Sequence, residues 1–336
     1  MRLPISPPAR VEVADGGEPM SLSCPGRWLP KPRGLLAAGR HLPPHPDAQQ
    51  PCAQGVCQNR AMPVNHYENF PVASVLCPPA IRPAVLAVYH FARTADDLAD
   101  EGDVSTAQRL DDLSAYRADL AAILSGGAAS ERWPGVFVAL ADALADFRLP
   151  TAPLEDLLDA FEQDVRNPLY ADRPALLDYC RRSANPIGRL LLHLYGVDDA
   201  MSLRRSDAVC SALQLINFWQ DLSIDGPRGR HYVPESDRLA HGVDAADLLQ
   251  AHDNPHARSL VRSLCEWARH LMLEGAPLAL RVPGRAGWEL RLVVQGGLQI
   301  LAKIEHMDHA ALARRPTLAV LDVPVLLWRA GRMKPP

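Results

Sequence analysis

The 336-residue chain has no Cys-x-x-Cys pair, and its seven cysteines, at 24, 52, 57, 77, 180, 210 and 265, follow no disulfide or metal-binding spacing. That odd, unpatterned set excludes a disulfide-stapled scaffold and a zinc ribbon. It points to a reducing compartment with mostly buried thiols. Cys52 and Cys57 lack two further spaced ligands, since His41 and His45 are poorly placed to complete a site. No apolar run reaches the ~20 residues that span a bilayer. No Gly-x-Gly-x-x-Gly follows a strand pattern, so a dinucleotide fingerprint is missing. Aromatics make up only 6%, and Lys31, Lys303 and Lys334 are the only lysines beside many arginines, a bias we read as genomic base composition. The net charge of −4 gives no electrostatic case for a nucleic-acid partner.

What is there is an ordinary globular composition, 48% hydrophobic and 22% charged, long enough for one large core or two small ones. The chain divides near residue 62. Residues 1–61 hold 11 of the 31 prolines, show no apolar periodicity and carry seven basic against four acidic residues. Such a segment cannot bury enough apolar surface to offset its ordering entropy. It is expected to be a disordered extension or a start-site artefact, with Met62 as a candidate native start and 62–336 as the folded domain. From residue 80 the apolar residues recur at three- and four-residue spacing, through 81–101, 107–124, 133–147, 152–166, 173–194, 205–223, 244–252, 257–280, 287–307 and 309–315. Strand alternation is nearly absent. The expectation is an all-α bundle of about ten helices with short connections. Leu318 to Trp328, followed by Arg329 and Arg332, is apolar and then basic. A packed C-terminal segment is the plainer reading, and a segment resting on a membrane surface is the other.

Two polar stripes carry chemistry. On a helix, Tyr89, Arg93, Asp96, Asp97 and Asp100 share one face. Asp96 and Asp100 stand one turn apart, at the end of the helix that disfavours anions. Ala92, Ala95 and Ala99 pack the same segment tightly, so the acids are not simply a solvated face. A divalent cation would relieve their repulsion. Gln214, Asn217, Asp221 and Asp225 form a second stripe, set among Leu, Ile, Phe and Trp. A buried polar row needs partners, and amide and carboxylate oxygens are the hard ligands that Mg2+ prefers. Facing each other across a bundle, the two stripes would bracket a diphosphate through bridging metal. Other polar or aromatic residues carry less. Glu101 reads as a helix-end surface residue, and Trp219, Trp267 and Trp328 read as core. His306 and His309 lack a supporting carboxylate. A di-iron site would need a Glu-x-x-His on each of two helices, and Glu266 with Arg269 lacks the histidine.

At these residues the sequence resembles the squalene/phytoene synthase family. Asp96-Asp97-Leu98-Ala99-Asp100 matches its first aspartate motif, and Asn217, Asp221 and Asp225 match its second. Tyr179-Cys180 with Ala184 to Gly188, and Gly229-Arg230-His231-Tyr232-Val233-Pro234, agree with two further family segments. The resemblance runs from about residue 65 to 330. Asn65 to Ser74, Ser183 to Gly188 and Leu215 to Asp221 look most like the hydroxysqualene-forming bacterial members of hopanoid biosynthesis.

The resemblance implies an all-α single-domain bundle of the isoprenoid (trans-prenyl) synthase type with a central apolar cavity. It implies Mg2+, about two or three ions with bound diphosphate, held by Asp96, Asp97, Asp100, Asn217, Asp221 and Asp225. Tyr89, Tyr179 and Arg93 would be catalytic. Arg93, Gln214, Gln220, Arg230, Tyr232, His66 and Tyr67 would bind substrate. Presqualene diphosphate would be converted to hydroxysqualene without NADPH, between a presqualene diphosphate synthase and a hydroxysqualene reductase as pathway partners. The place would be cytoplasmic, with a peripheral contact at the inner membrane face. Gln220 stands where the wider family usually has arginine, which argues against condensation of two diphosphates. That condensation, to squalene, dehydrosqualene or phytoene from farnesyl or geranylgeranyl diphosphate, is the alternative. A non-catalytic assembly factor of the same fold is a remote one.

Overall fold

The computed structural model describes residues 77–334, which belong to one compact unit. The expectations for residues 1–61, for Met62 and for His66 and Tyr67 lie outside the described residues. Among the described residues there is no strand. The helices are α1 (Arg82–Asp100), α2 (Thr106–Leu124), α3 (Pro134–Phe147), α4 (Ala152–Arg166), α5 (Arg173–Ser183), α6 (Asn185–Leu194), α7 (Ala200–Gln220), α8 (Leu222–Asp225), α9 (Glu235–Ala240), α10 (Ala245–Leu249), α11 (Pro255–Gly275), α12 (Gly284–His306) and α13 (Val323–Arg332).

Their starts follow local chemistry. Ser105, Asp172, Asp199 and Asn254 cap α2, α5, α7 and α11 by accepting from a backbone N–H three residues on, each worth about 1 kcal/mol. Four details depart from the sequence reading. The stretch 173–194 breaks into α5 and α6 around Ala184, because Pro186 has no N–H to continue the ladder. Residues 309–315 form turns rather than a helix, since Asp308 and His309 adopt left-handed φ of 52° and 61°. The second polar stripe is not on one helix, because α7 ends at Gln220 and α8 restarts at Leu222. Trp328, expected in the core, is 60% exposed.

Two apolar clusters hold the bundle. Leu113, Phe137, Leu140, Leu157 and Phe161 join α1 to α4. Trp219, Leu260, Leu264, Met272 and Leu301 join α7, α11 and α12. Fully burying a side chain of this size contributes about 1.5–3 kcal/mol. Helix α7 lies deepest: Gln214 to Gln220 are all buried. Two glycines let its neighbours approach it. A Cβ on Gly275 of α11 would stand 2.6 Å from the Arg205 carbonyl oxygen, and one on Gly188 of α6 would stand 2.3 Å from Ser206 Oγ. This close seating fixes α7 against α6 and α11.

Candidate active site

The first stripe lies on the C-terminal half of α1. Asp96 and Arg93 are buried, and Ala92, Ala95 and Ala99 pack beside them. The Arg93 guanidinium donates to Asp96 at 3.2 Å and reaches Asp97 at 2.5 Å and Glu101 at 2.9 Å. Glu101 is exposed at the helix end, as read from sequence, and also shares the cation. Burial pushes the Asp96 carboxyl up to about 6, against the pull of Arg93, with Asp164 and Asp97 adding to the rise. Tyr89, one turn before Arg93, is buried with its ring edge-on to His90.

The second stripe spans the α7–α8 junction. Asn217, Asp221 and Asp225 are all nearly inaccessible. The Asp225 N–H donates to the Asp221 carbonyl at 2.8 Å, which keeps the two aspartates a turn apart across the break. Asn217 Nδ2 donates to Asp221 Oδ2 at 3.1 Å, and Arg315 Nε donates to Asp221 Oδ1 at 2.5 Å. Because the Asn217 NH2 must face a carboxylate, its Oδ1 is the atom turned away. That Oδ1, like Gln214 Nε2, is buried without a hydrogen-bond partner.

Arg230 ties the stripes together. Its backbone N–H donates to the Asp225 carbonyl at 3.0 Å, and its guanidinium pairs with Asp100 of α1. Arg230 and Tyr232 border two cavities. One, of about 140 Å3, is lined by Asp96, Asp100, Asp164 and Arg228. The other, of about 350 Å3, has Asp225 at its edge and is walled by Leu169, Phe218, Leu222, Val233, Leu248 and Leu249. An anionic mouth thus adjoins an apolar chamber.

Sequence reasoning missed Asp164, in the last turn of α4. It accepts from the Tyr179 hydroxyl at 2.8 Å and from the Tyr232 hydroxyl at 3.4 Å. Its signal was an acid three residues after Phe161, on the buried Leu157–Phe161 face. Tyr179 is fully buried, and burial beside Asp164 raises its hydroxyl well above the usual tyrosine range. It is therefore a hydrogen-bond donor rather than a phenolate. The Tyr232 ring stacks on Phe218 at 3.9 Å, and Tyr170 and Tyr179 complete an aromatic group around Asp164. Gln220, expected at the substrate, turns elsewhere: its Nε2 donates to the Pro316 carbonyl at 2.8 Å. The cation expected to be missing there arrives from Arg315, next to that same proline.

Among the described residues no three His, Cys, Asp or Glu side chains are gathered as a metal cluster. Arginines hold the carboxylates instead, through Arg93, Arg230 and Arg315. The donor set still fits a hard divalent ion. It offers paired carboxylates on two elements and an orphaned, buried amide oxygen on Asn217.

A sequence profile of the squalene/phytoene synthase family matches residues 64–322. A hydroxysqualene synthase of Rhodopseudomonas palustris is 34% identical over 72% of this chain and 80% of its own length. A presqualene diphosphate synthase of the same strain is 32% identical over 62% of this chain and 68% of its own length. The crystal structure of squalene synthase HpnC from Alicyclobacillus acidocaldarius superposes with a TM-score of 0.66 at 36% identity, covering 73% of this chain and 90% of that one. Profile match, fold and the two aspartate motifs joined by Arg230 agree: the chain is a catalytic member of the squalene/phytoene synthase family.

Proposed function

We propose that this member of a head-to-head prenyl synthase family uses presqualene diphosphate as its substrate and releases hydroxysqualene. The observation that carries the reading is Arg230, whose backbone holds Asp225 and whose side chain holds Asp100 at the border between an anionic and an apolar cavity. A substrate with a diphosphate head and a hydrocarbon body fits that division. The similarity to a hydroxysqualene synthase over most of its length supports the finer choice.

Mg2+, the divalent ion the family uses, would be held by Asp96, Asp97, Asp100, Asn217, Asp221 and Asp225 and would supply Lewis acidity to the departing diphosphate. Arg93, Arg230 and Arg315 are placed to move from these carboxylates onto diphosphate oxygens, which their planar forks bind better than lysine would. The C–O bond breaks with its electron pair leaving on the diphosphate. The cyclopropylcarbinyl cation then rearranges. Phe218 and Tyr232 wall the apolar cavity, where aromatic ring surface would stabilise the cation. A water oxygen adds to the rearranged carbon, and the proton it sheds balances the released diphosphate.

A second reading is favoured by one specific observation. Arg315 brings to Asp221 the positive charge that Gln220 lacks, so the argument from Gln220 against a condensing enzyme loses its force. The near-equal identity to a presqualene diphosphate synthase points the same way. On this reading two farnesyl or geranylgeranyl diphosphates are joined head to head.

The test is a product assay of the purified chain with Mg2+ and no NADPH, extracted and resolved by mass spectrometry. Hydroxysqualene from presqualene diphosphate is the expected result. Turnover of farnesyl or geranylgeranyl diphosphate, with presqualene diphosphate left intact, would replace the first reading with the second.

A further inference from the structure

Helix α13 is apolar on both sides. Leu326 and Ala330 face inward and are buried, and α13 packs on α12. On the opposite side Leu327 is 51% exposed and Trp328 60%. The turn ahead of the helix leaves Val320 and Leu321 exposed by 85% and 88%. A concentrated exposed apolar patch marks an interaction surface. Trp288 of α12 extends the patch. It is 43% exposed and lies beside Gly331, where an added Cβ would meet its ring at 3.7 Å.

The patch is bordered by positive charge. The Arg332 guanidinium stands 4.9 Å over the Trp328 ring, and the Arg291 guanidinium stands 4.9 Å over the Trp288 ring. Arg285, one turn before Trp288, is exposed, as is Lys334. After Asp308 the sequence has five basic residues and one acid, Asp322, in a chain whose net charge is −4. That acid is already paired with Lys303 at 2.7 Å and hydrogen-bonded by Gln299 at 2.9 Å. Arg315 is engaged by Asp221 in the catalytic site, so the positive charge beside the apolar face comes from Arg291 and Arg332 over its tryptophans and from the exposed Arg285 and Lys334.

We propose that this face, formed by Val320, Leu321, Leu327, Trp328 and Trp288, docks on the surface of a bilayer containing anionic lipid. The charge complementarity selects the occupant. Tryptophans covered by arginines suit the boundary between acyl chains and phosphates, with the rings in the apolar layer and the guanidinia at the headgroups. Among the described residues no helix is long and apolar enough to cross a membrane. A ten-residue helix is only about 15 Å long, a length for lying in the interface. Anionic headgroups would strengthen the contact through Arg285, Arg291, Arg332 and Lys334. The inference stands whichever prenyl diphosphate the catalytic site takes.

The experiment is co-sedimentation of the full chain with vesicles of phosphatidylcholine, alone or mixed with phosphatidylglycerol, at low and high salt. Binding to the mixed vesicles, weakened by salt, is expected. Leu321→Glu with Trp328→Glu should weaken it about tenfold or more. These side chains are exposed, so thermal unfolding should be unchanged, which separates lost docking from lost folding. Arg285→Gln with Arg332→Gln should remove the preference for phosphatidylglycerol. Failure of the wild-type chain to pellet with either vesicle, or undiminished binding by the Glu variant, would overturn the proposal. So would a wild-type dimer that Trp328→Glu splits, because a second copy would then be the partner of this face.

Discussion

The two aspartate motifs solve the same electrostatic problem differently. On α1 the acids sit along one unbroken helix, and their counter-ion comes from the same face: Arg93 reaches Asp96 and Asp97 three and four residues away. At the α7–α8 junction the acids sit on a broken helix, and Asp221 and Asp225 are buried. Their counter-ion there comes from Arg315, 94 residues further along the chain. Arg230 closes the circuit by reaching Asp100 across 130 residues. The Arg93 pairs of the first motif can form as soon as α1 does, while Asp100 waits for Arg230. The second is complete only when the C-terminal segment has packed against α7.

The difference is broken most severely by removing charge from the deeper motif. Asp221 is the acid held on both oxygens, by Asn217 and Arg315. Asp221→Asn keeps the shape but removes the charge that a metal needs. Turnover should fall on the order of a hundredfold or more, with little change in secondary structure by circular dichroism. A loss of only a few-fold would mean that the α7–α8 motif does not hold metal.

Stability sharpens the comparison further. Arg93→Gln leaves three carboxylates, of which Asp96 is buried, without their shared cation. Breaking a buried pair usually costs about 3–5 kcal/mol. Asp96 can take up a proton, so about 2–3 kcal/mol is expected here, or roughly 5–10 °C in Tm. Arg315→Gln should cost less, about 1–2 kcal/mol, because Asn217 still donates to Asp221 and Gln220 still holds the C-terminal segment through Pro316. Calorimetry of both variants without metal is the measurement. Equal losses would show that the distant ion pair is as strong as the local one.

The same contrast decides what was legible in the sequence. Periodicity exposed both stripes, because residues three and four apart share a helix face on α1 and Asp221 and Asp225 stay a turn apart across the α7–α8 break. It also exposed the helical content, but not the break at Ala184, since the apolar pattern runs through residue 184 without pause. Arg93 could be read as a partner of Asp96 and Asp97 from spacing alone. Arg315 and Asp164 could not, because nothing in a local window says which distant loop will close over an acid. Gln220 misled for the same reason: its departure from the family pattern was visible, but its bond to Pro316 and the compensating Arg315 were not. Trp328 was placed in the core by residue type, whereas exposure is decided by which side of α13 meets α12.

The smallest expected effect concerns protons on the first motif. Folded Asp96 keeps its proton up to about 6, while the unfolded carboxyl releases it near 3.8. Between those values the folded state binds more protons than the unfolded one. Stability of the metal-free protein should therefore fall as pH rises through that window, and the loss should be complete above it. A divalent ion reverses the sign, because it replaces the proton as the partner of the ionised carboxylate. The rise in Tm on adding Mg2+ with inorganic diphosphate should thus be larger at about pH 7.5 than at about pH 5, by a few degrees. Asp96→Asn should flatten this difference, since an amide neither titrates nor needs neutralising. If the metal-induced rise were the same at both pH values in the wild-type chain, Asp96 would not be where proton and metal compete. The α1 motif would then owe its neutrality to Arg93 alone.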